Sequence, residues 1–548
     1  MDYRQVYESF DLAVESRRVF GGGTSNVNVA VLCCDRYCGG DRLALRWTDE
    51  AEATARLTFE QLSEQSQRLA RVLTEQGVGP GDRVACLLPR VPELVVTLLA
   101  VWRIGAVYQP LFTAFGPKAI EHRLNTAGAR VVVTNTANRS KLDSLNTPPL
   151  TVLTVCQGGC SAQSSDIDFH EAVMAADLGL PVVERDTKDP FLIMFTSGTT
   201  GPAKPVLLPI SALLSFEVYM RLAVGLHDDD RFWNIADPGW AYGLWYAVTG
   251  PLLMGQAITL FDGAFTVESL VRVVEQFDIN NLAGAPTAYR ALIAAGPKAV
   301  DTLKGRLRAV SSAGEPLNPE VIRWFAKHLA VTIHDHYGQT EMGMSLCNHH
   351  ALEHPVTAGA AGVSLPGYRV VVVDEQLNPL PAGQPGVLAI DLERSPLFWF
   401  SGYEGMETKS LQGRYYLSGD TAECNADGTI SFIGRDDDVI TSAGYRIGPF
   451  DVESALVEHE AVVESAVVGK PDPERTEIVK AYVVLGKGWT SSAELEAELK
   501  TFVRNRLSAH AYPREFEFVE NLPKTPSGKI QRFILRSQEQ ARSQEMTQ

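Results

Sequence analysis

The sequence predicts an α/β protein: a large N-terminal domain of parallel-sheet subdomains with a β-rich subdomain, followed by a small α+β C-terminal domain. Three observations carry this prediction. Short apolar runs alternate with helix-patterned segments over hundreds of residues, the pattern of a parallel sheet covered on both faces. After residue 360, strand runs are punctuated by Pro and Gly turns, as in "YRVVVVDEQLNPLPAGQPGVLAI". From about 438, strands and helices alternate again in a segment of single-domain size. A boundary is therefore expected in the acidic run 436–438, dividing 1–436 from 437–548.

Taken in order, "RVACLL" is a short apolar strand, "PELVVTLLAVWRIG" a helix with proline near its start, and "AVYQPLF" the returning strand. The helix pattern of "PKAIEHRLNTAG" leads into the strand "RVVVTN". The same alternation recurs at "FLIMFTSG", "GQAITLF", "INNLAGAP" and "LRAVSSAGEP". In each an apolar strand runs into small residues, where open α/β sheets carry their ligand loops. Asp427-Gly428 marks a hairpin. In the C-terminal part, "ESAVVGK" and "VKAYVVL" read as strands and "SAELEAELKTFVRNRL" as a helix.

A chain of 548 residues exceeds one ordinary core. Its 45% apolar and 21% charged residues are those of a globular protein. Lys plus Arg number 49 against 66 Asp plus Glu, a net charge of −17 that argues against a general nucleic-acid binder. The amino terminus carries acidic residues and lacks an apolar block of signal length, and the apolar run Leu94 to Trp102 is interrupted by Arg103. The reading is a cytoplasmic protein with no membrane span. Cys34/Cys38 and Cys156/Cys160 have a spacing zinc can use, but no His or Cys partners recur nearby, so buried or incidental thiols are expected.

The chemistry is concentrated in five short stretches. "TSGTTGPAKP" (196–205) offers hydroxyls and glycines ahead of Lys204. A Walker A loop needs glycine directly before lysine and a hydroxyl directly after; here Pro202 and Ala203 intervene and Pro205 follows, so that reading fails. A Ser/Thr/Gly loop after a strand can still surround a polyphosphate. "HDHYGQTEMG" sets Thr340, a donor for a phosphate oxygen, beside Glu341, a carboxylate able to hold Mg2+. "YYLSGDTA" supplies Asp420, suited to paired ribose hydroxyls. "GRDDDVITSAGYRIGPFDVE" supplies Arg435 and Arg446 around an acidic cluster, and "LPKTPSGKIQR" ends in Lys529 on a Pro/Ser/Gly loop.

These five stretches, in this order, resemble the acyl-CoA synthetase branch of the adenylate-forming superfamily over about 50 to 535. The resemblance implies a mobile C-terminal domain and an ATP-dependent ligase using Mg2+ and coenzyme A. A carboxylate attacks the α-phosphate of ATP; the small domain then rotates, and the coenzyme A thiol displaces AMP. By position, Thr196, Ser197, Thr199, Thr200 and Lys204 would face the β- and γ-phosphates. Gly314, Glu315, Pro316, Asp335, His336 and Tyr337 would flank the adenine. Thr340 would meet the α-phosphate, Glu341 the magnesium, and Asp420 and Arg435 the ribose. Asp437 would be the hinge, Lys529 the adenylation lysine, and Gly444 would lie along the pantetheine tunnel, with Arg446 a further candidate for catalysis. Dimers being common among such relatives, a homodimer comes with the resemblance.

In acetate-specific relatives a tryptophan occupies the position of Gly338, so a deeper acyl pocket and an acid larger than acetate are expected. Trp240 matches the acyl-pocket wall and Tyr242 neighbours it, while Trp245 and Tyr246 either extend that wall or pack in the core. Pro205 leaves a second reading open. The family usually has glycine after the lysine, so the enzyme could instead form thioesters from a preformed acyl-adenylate. A third reading, a non-catalytic nucleotide-binding scaffold, stands against Thr340, Glu341, Asp420 and Lys529 occurring together.

Overall fold

A computed structural model describes residues 1–156, 161–196, 203–435, 438–442, 445–472, 475–507, 511–524 and 529–545. Among these, a seven-stranded sheet runs in the order Ile167–Asp168, Thr151–Val155, Val131–Asn135, Arg83–Leu87, Val107–Pro110, Pro190–Thr196 and Lys204–Pro209. Every pair is parallel except the last, where Lys204–Pro209 folds back along Pro190–Thr196. The β-α-β unit expected over 83–110 is present, with the helix Pro92–Arg103 buried along nearly its whole length. Arg103, which interrupts the apolar run, is only 2% exposed because Asp35 takes both its terminal nitrogens, at 2.8 and 2.7 Å. That ion pair also explains the acidic member of the group Cys34, Asp35 and Cys38, whose ligand atoms lie within 4.8 Å of one another. The Asp35 carboxylate neutralises an arginine, and burial raises the pKa of both thiols.

A second sheet orders Phe232–Asn234, Asn281–Gly284, Ala309–Ala313, Ile333–Gln339, Gly343–Cys347 and Val363–Ser364, parallel through Ile333–Gln339 and antiparallel beyond. The strand in "GQAITLF" departs from the expected pattern. Ile258–Asp262 pairs in parallel with Leu43–Asp49 in a separate three-stranded sheet, because its partner is a distant N-terminal strand that local periodicity does not announce. The change of texture after 360 is an antiparallel sheet of Val370–Val373, Pro385–Asp391, Leu411–Gln412, Tyr415–Cys424 and Ile430–Arg435. The expected hairpin joins its last two strands, with Gly428 at φ +86°.

The C-terminal part has its own core, where Val452, Leu456, Val467, Val479, Ala481, Leu495 and Leu499 pack between the helices Pro449–Val457 and Ala493–Arg506 and a five-stranded sheet. The boundary residues Asp436 and Asp437 lie outside the described residues, as do Gly444 and the hydroxyls Ser197, Thr199 and Thr200. No helix among the described residues is long and apolar enough to cross a membrane.

Candidate functional site

The parallel sheets point the ends of several strands at one place. Ala309–Ala313 runs into Gly314, whose φ of +98° turns the chain sharply after the strand. Ile333–Gln339 ends nearby and delivers Asp335, His336, Tyr337 and Gly338. Tyr415–Cys424 and Ile430–Arg435 bring Asp420 and Arg435 opposite one another in register. A cavity of about 380 Å³ is lined by Gly314, Glu315, Pro316, Asp335 to Gln339, Asp420, Arg435 and, from the C-terminal part, Lys529. Residues from four of the five sequence stretches or their neighbours therefore share one space.

Asp420 is held from several sides. Tyr337 Oη donates to its carboxylate, Gln339 Nε2 donates at 2.8 Å, and Arg435 Nη1 stands 3.6 Å away. Burial raises the Asp420 pKa, against the lowering influence of Arg435, Tyr337, Gln339 and Lys529. Gln339 is itself fixed, because Tyr416 Oη donates to its carbonyl at 2.7 Å. On the other wall, Glu315 accepts from Thr287 and Arg290 at 3.0 and 2.9 Å. Lys529 keeps solvent contact, yet it lies deep enough among protein atoms that desolvation lowers its pKa, opposed by Glu315 and Asp420.

Of the adenine-flanking candidates, Asp335 and His336 are buried, Glu315, Pro316 and Tyr337 are half-buried, and Gly314 is exposed. Burial pushes Asp335 up to about 8, and among the described residues its Oδ1 has no hydrogen-bond partner. An orphaned carboxyl oxygen on a cavity wall suits an exocyclic amino group such as that of adenine. Burial pushes His336 down to about 3; Tyr219 Oη donates to its Nδ1 at 2.8 Å, which leaves the Nε2–H to donate to the Asn348 carbonyl at 3.1 Å.

The remaining candidates lie beyond that lining. Thr340 and Glu341 sit at the turn after Ile333–Gln339, with Glu341 only 8% exposed and Tyr403 Oη donating to its Oε1 at 2.7 Å. Thr196 and Lys204 face each other across the last pair of the seven-stranded sheet, and Lys204 Nζ stands 4.9 Å from the centre of the Tyr403 ring. A buried carboxylate with hard oxygen donors is chemistry that fits Mg2+. Arg446 is described in its backbone alone, paired with Thr441.

Pro205 sits on the edge strand of its sheet, where proline is tolerated. Its carbonyl accepts from Glu404 N at 3.1 Å, on the side away from Pro190–Thr196. Within a strand a residue's nitrogen and carbonyl point to the same side, so the missing N–H would also face Glu404.

Trp240 packs against Phe112 and Phe115, with ring centres 5.4 Å from each, and Tyr242 lies 6.0 Å from Tyr246. Trp245 and Tyr246 are core residues, 1% exposed each; Trp245 is stacked on Phe216, and Tyr246 Oη accepts from Met344 N. Gly338 is tight: a Cβ there would lie 2.1 Å from the Gly343 carbonyl oxygen, so bulk at 338 requires the hairpin to open. Tyr403, Asn318 and Gln339 are contributors that the motif reading did not single out. Gln339 lay inside a quoted stretch, whereas Tyr403 gave no signal because its partners are distant in sequence.

Comparison with known proteins agrees with this geometry. The family model of the AMP-binding enzyme matches residues 34–403, and that of the AMP-binding enzyme C-terminal domain matches residues 451–529. The chain is 38% identical to an acetyl-coenzyme A synthetase of Bacillus subtilis, over 98% of this chain and 95% of that protein. It is similar to the crystal structure of a Brucella canis acyl-CoA synthetase, with 56% identity, 99% of each chain covered and a TM-score of 0.81. It is also similar to an anthranilate CoA ligase solved with anthranoyl-AMP, with 25% identity, 94% and 97% of the chains covered and a TM-score of 0.85.

Proposed function

The chain belongs to the AMP-binding enzyme family, as an ATP-dependent, AMP-forming CoA ligase of the acyl-CoA synthetase group, and from that premise we propose that it joins an acid larger than acetate to coenzyme A in two half-reactions. In the first, a carboxylate oxygen of the acid attacks the α-phosphorus of ATP, the bond to pyrophosphate breaks, and an acyl-adenylate forms. In the second, the thiol sulfur of coenzyme A attacks the acyl carbon, AMP leaves, and the thiol proton is released.

The observation that carries this reading is Lys529 sharing one cavity with Asp420, Arg435, Asp335 and Tyr337. Two anions must meet in the first step, and a fixed cation lowers that barrier because it needs no reorganisation during reaction. Asp420, held by Tyr337 and Gln339, is placed to accept from ribose hydroxyls, while Asp335 Oδ1 awaits the adenine amino group. Thr340 would contact the α-phosphate, and Thr196 and Lys204 the terminal phosphates with Ser197, Thr199 and Thr200. Glu341 would hold Mg2+, which when bound neutralises phosphate charge. Adenylation needs Lys529 in the cavity, whereas thioester formation needs an open path for a long thiol arm. A rotation at Asp437, bringing Gly444 and Arg446 towards the site, reconciles the two.

An acid larger than acetate is supported by the absence of a side chain at Gly338 on the cavity wall. The competing reading, thioester formation without adenylation, rests on a donor lost and a loop stiffened at Pro205; the direction of that donor, towards Glu404, speaks against the first of these grounds. Two assays test the proposal: pyrophosphate release with acids from acetate to medium-chain, branched and aromatic ones, and thioester formation from synthetic acyl-adenylates and coenzyme A. Equal turnover of acetate and larger acids would refute the size assignment. Product in the second assay alone would refute the full ligase.

A further inference from the structure

The segment around Tyr403 is stitched to the edge strand that carries Lys204. Tyr403 bridges Val206 in antiparallel fashion, Glu404 N donates to the Pro205 carbonyl at 3.1 Å, and Glu404 pairs with Arg83 at 2.7 Å. Gly402, at φ +126°, turns the chain into this position, and Tyr403 N donates to Thr408 Oγ1 at 2.9 Å. So held, the Tyr403 side chain spans two groups from different sheets: its ring lies 4.9 Å from Lys204 Nζ, and its hydroxyl donates to Glu341 Oε1 at 2.7 Å.

Glu341 is buried within the turn between two strands, and a carboxylate there has two oxygens to present. The bond from Tyr403 occupies Oε1 and fixes the carboxylate plane, so that Oε2 is the oxygen left to an incoming cation. The Lys204 ammonium, attracted to the ring face, is held in the same construction. We propose that Tyr403 is a positioning residue for adenylation: it orients Glu341 towards a divalent cation and Lys204 towards the polyphosphate, so that metal and nucleotide meet a pre-set pair. This rests on the assignment of Glu341 to the magnesium.

The test is Tyr403→Phe, which retains the ring and the backbone bridge and removes only the hydroxyl. Mn2+ binding to the protein with a non-hydrolysable ATP analogue is titrated by electron paramagnetic resonance, beside pyrophosphate release as a function of Mg2+. The variant is expected to bind the cation about 10- to 100-fold more weakly and to recover pyrophosphate release at high Mg2+. Thioester formation from a synthetic acyl-adenylate should stay within about twofold of the parent, since no polyphosphate takes part. Superimposable metal titrations for the variant and parent would overturn the proposal, and so would a parallel loss of the adenylate-consuming step. Glu341→Gln is run alongside. If it weakens the cation while Tyr403→Phe does not, the positioning role falls alone; if neither weakens it, the assignment of Glu341 falls as well.

Discussion

Asn318 lines the candidate-site cavity and ties it to the C-terminal domain, which makes it a handle on the placement of that domain. Its Oδ1 accepts from Glu320 N at 2.8 Å and so caps the helix Pro319–Leu329; its Nδ2 donates to the Ser454 carbonyl at 3.1 Å, on the C-terminal domain. Asn318→Asp keeps the capping acceptor, since Asp and Asn cap about equally well, and replaces the interdomain donor by a carboxylate oxygen. A hydrogen bond of this kind contributes about 0.5–1.5 kcal/mol net, equivalent to a change of about 2- to 13-fold in the population that brings Lys529 into the cavity. The oxygen newly facing the Ser454 carbonyl pushes towards the upper end of that range. Pyrophosphate release should therefore fall by roughly 2- to 13-fold, whereas thioester formation from a synthetic acyl-adenylate should hold or rise. Quench-flow measurement of each half-reaction, at saturating ligand, separates the two. Equal losses in both, or no loss in either, would refute the idea that this contact selects the adenylating arrangement.

Lys529→Ala should lower pyrophosphate release by about 10²–10³-fold while leaving the reaction of synthetic acyl-adenylate with coenzyme A within a few fold; a comparable loss in both steps would contradict its role. Pro205→Gly should change pyrophosphate release by less than about twofold, because the nitrogen faces Glu404 on an edge strand; a large gain would revive the reading of an impaired loop. Asp335 is held protonated up to about 8, whereas the unfolded chain ionises this group near 3.9, so its contribution to stability is present at low pH and lost as pH rises through 8. His334, at about 4, and His336, at about 3, act the other way: their contribution is present above about 6.5 and lost on acidification. Asp335→Asn removes the first effect alone, so the stability of the variant relative to the parent should rise by about 1.4 kcal/mol per pH unit between pH 4 and 8. Denaturant unfolding of both proteins across that range checks it, and parallel curves would refute the assignment.

Much of the site was legible because it is written in strand-end motifs. Gly314, Asp335, Tyr337, Asp420 and Arg435 each follow a readable apolar run or hairpin, Lys529 stands on a Pro/Ser/Gly loop, and the fold gathers them at one place. Local periodicity likewise determined the helix Pro92–Arg103, the hairpin at Gly428 and the separate C-terminal segment. Other features were decided only by pairing between distant segments. Ile258–Asp262 has a strand's sequence, but joining Leu43–Asp49 depends on a partner more than two hundred residues away. Trp245 and Tyr246 read equally as pocket wall or core, and packing against Phe216 and Met344 made them core. The direction in which Pro205 lacks a donor, and the closeness of Gly343 that forbids a Cβ at Gly338, are properties of strand register. Residue type and spacing fixed which groups could do chemistry. Which atoms they face, as with Tyr403 and Glu341 at a separation of 62 residues, follows from long-range contacts that exist only once the sheets are assembled.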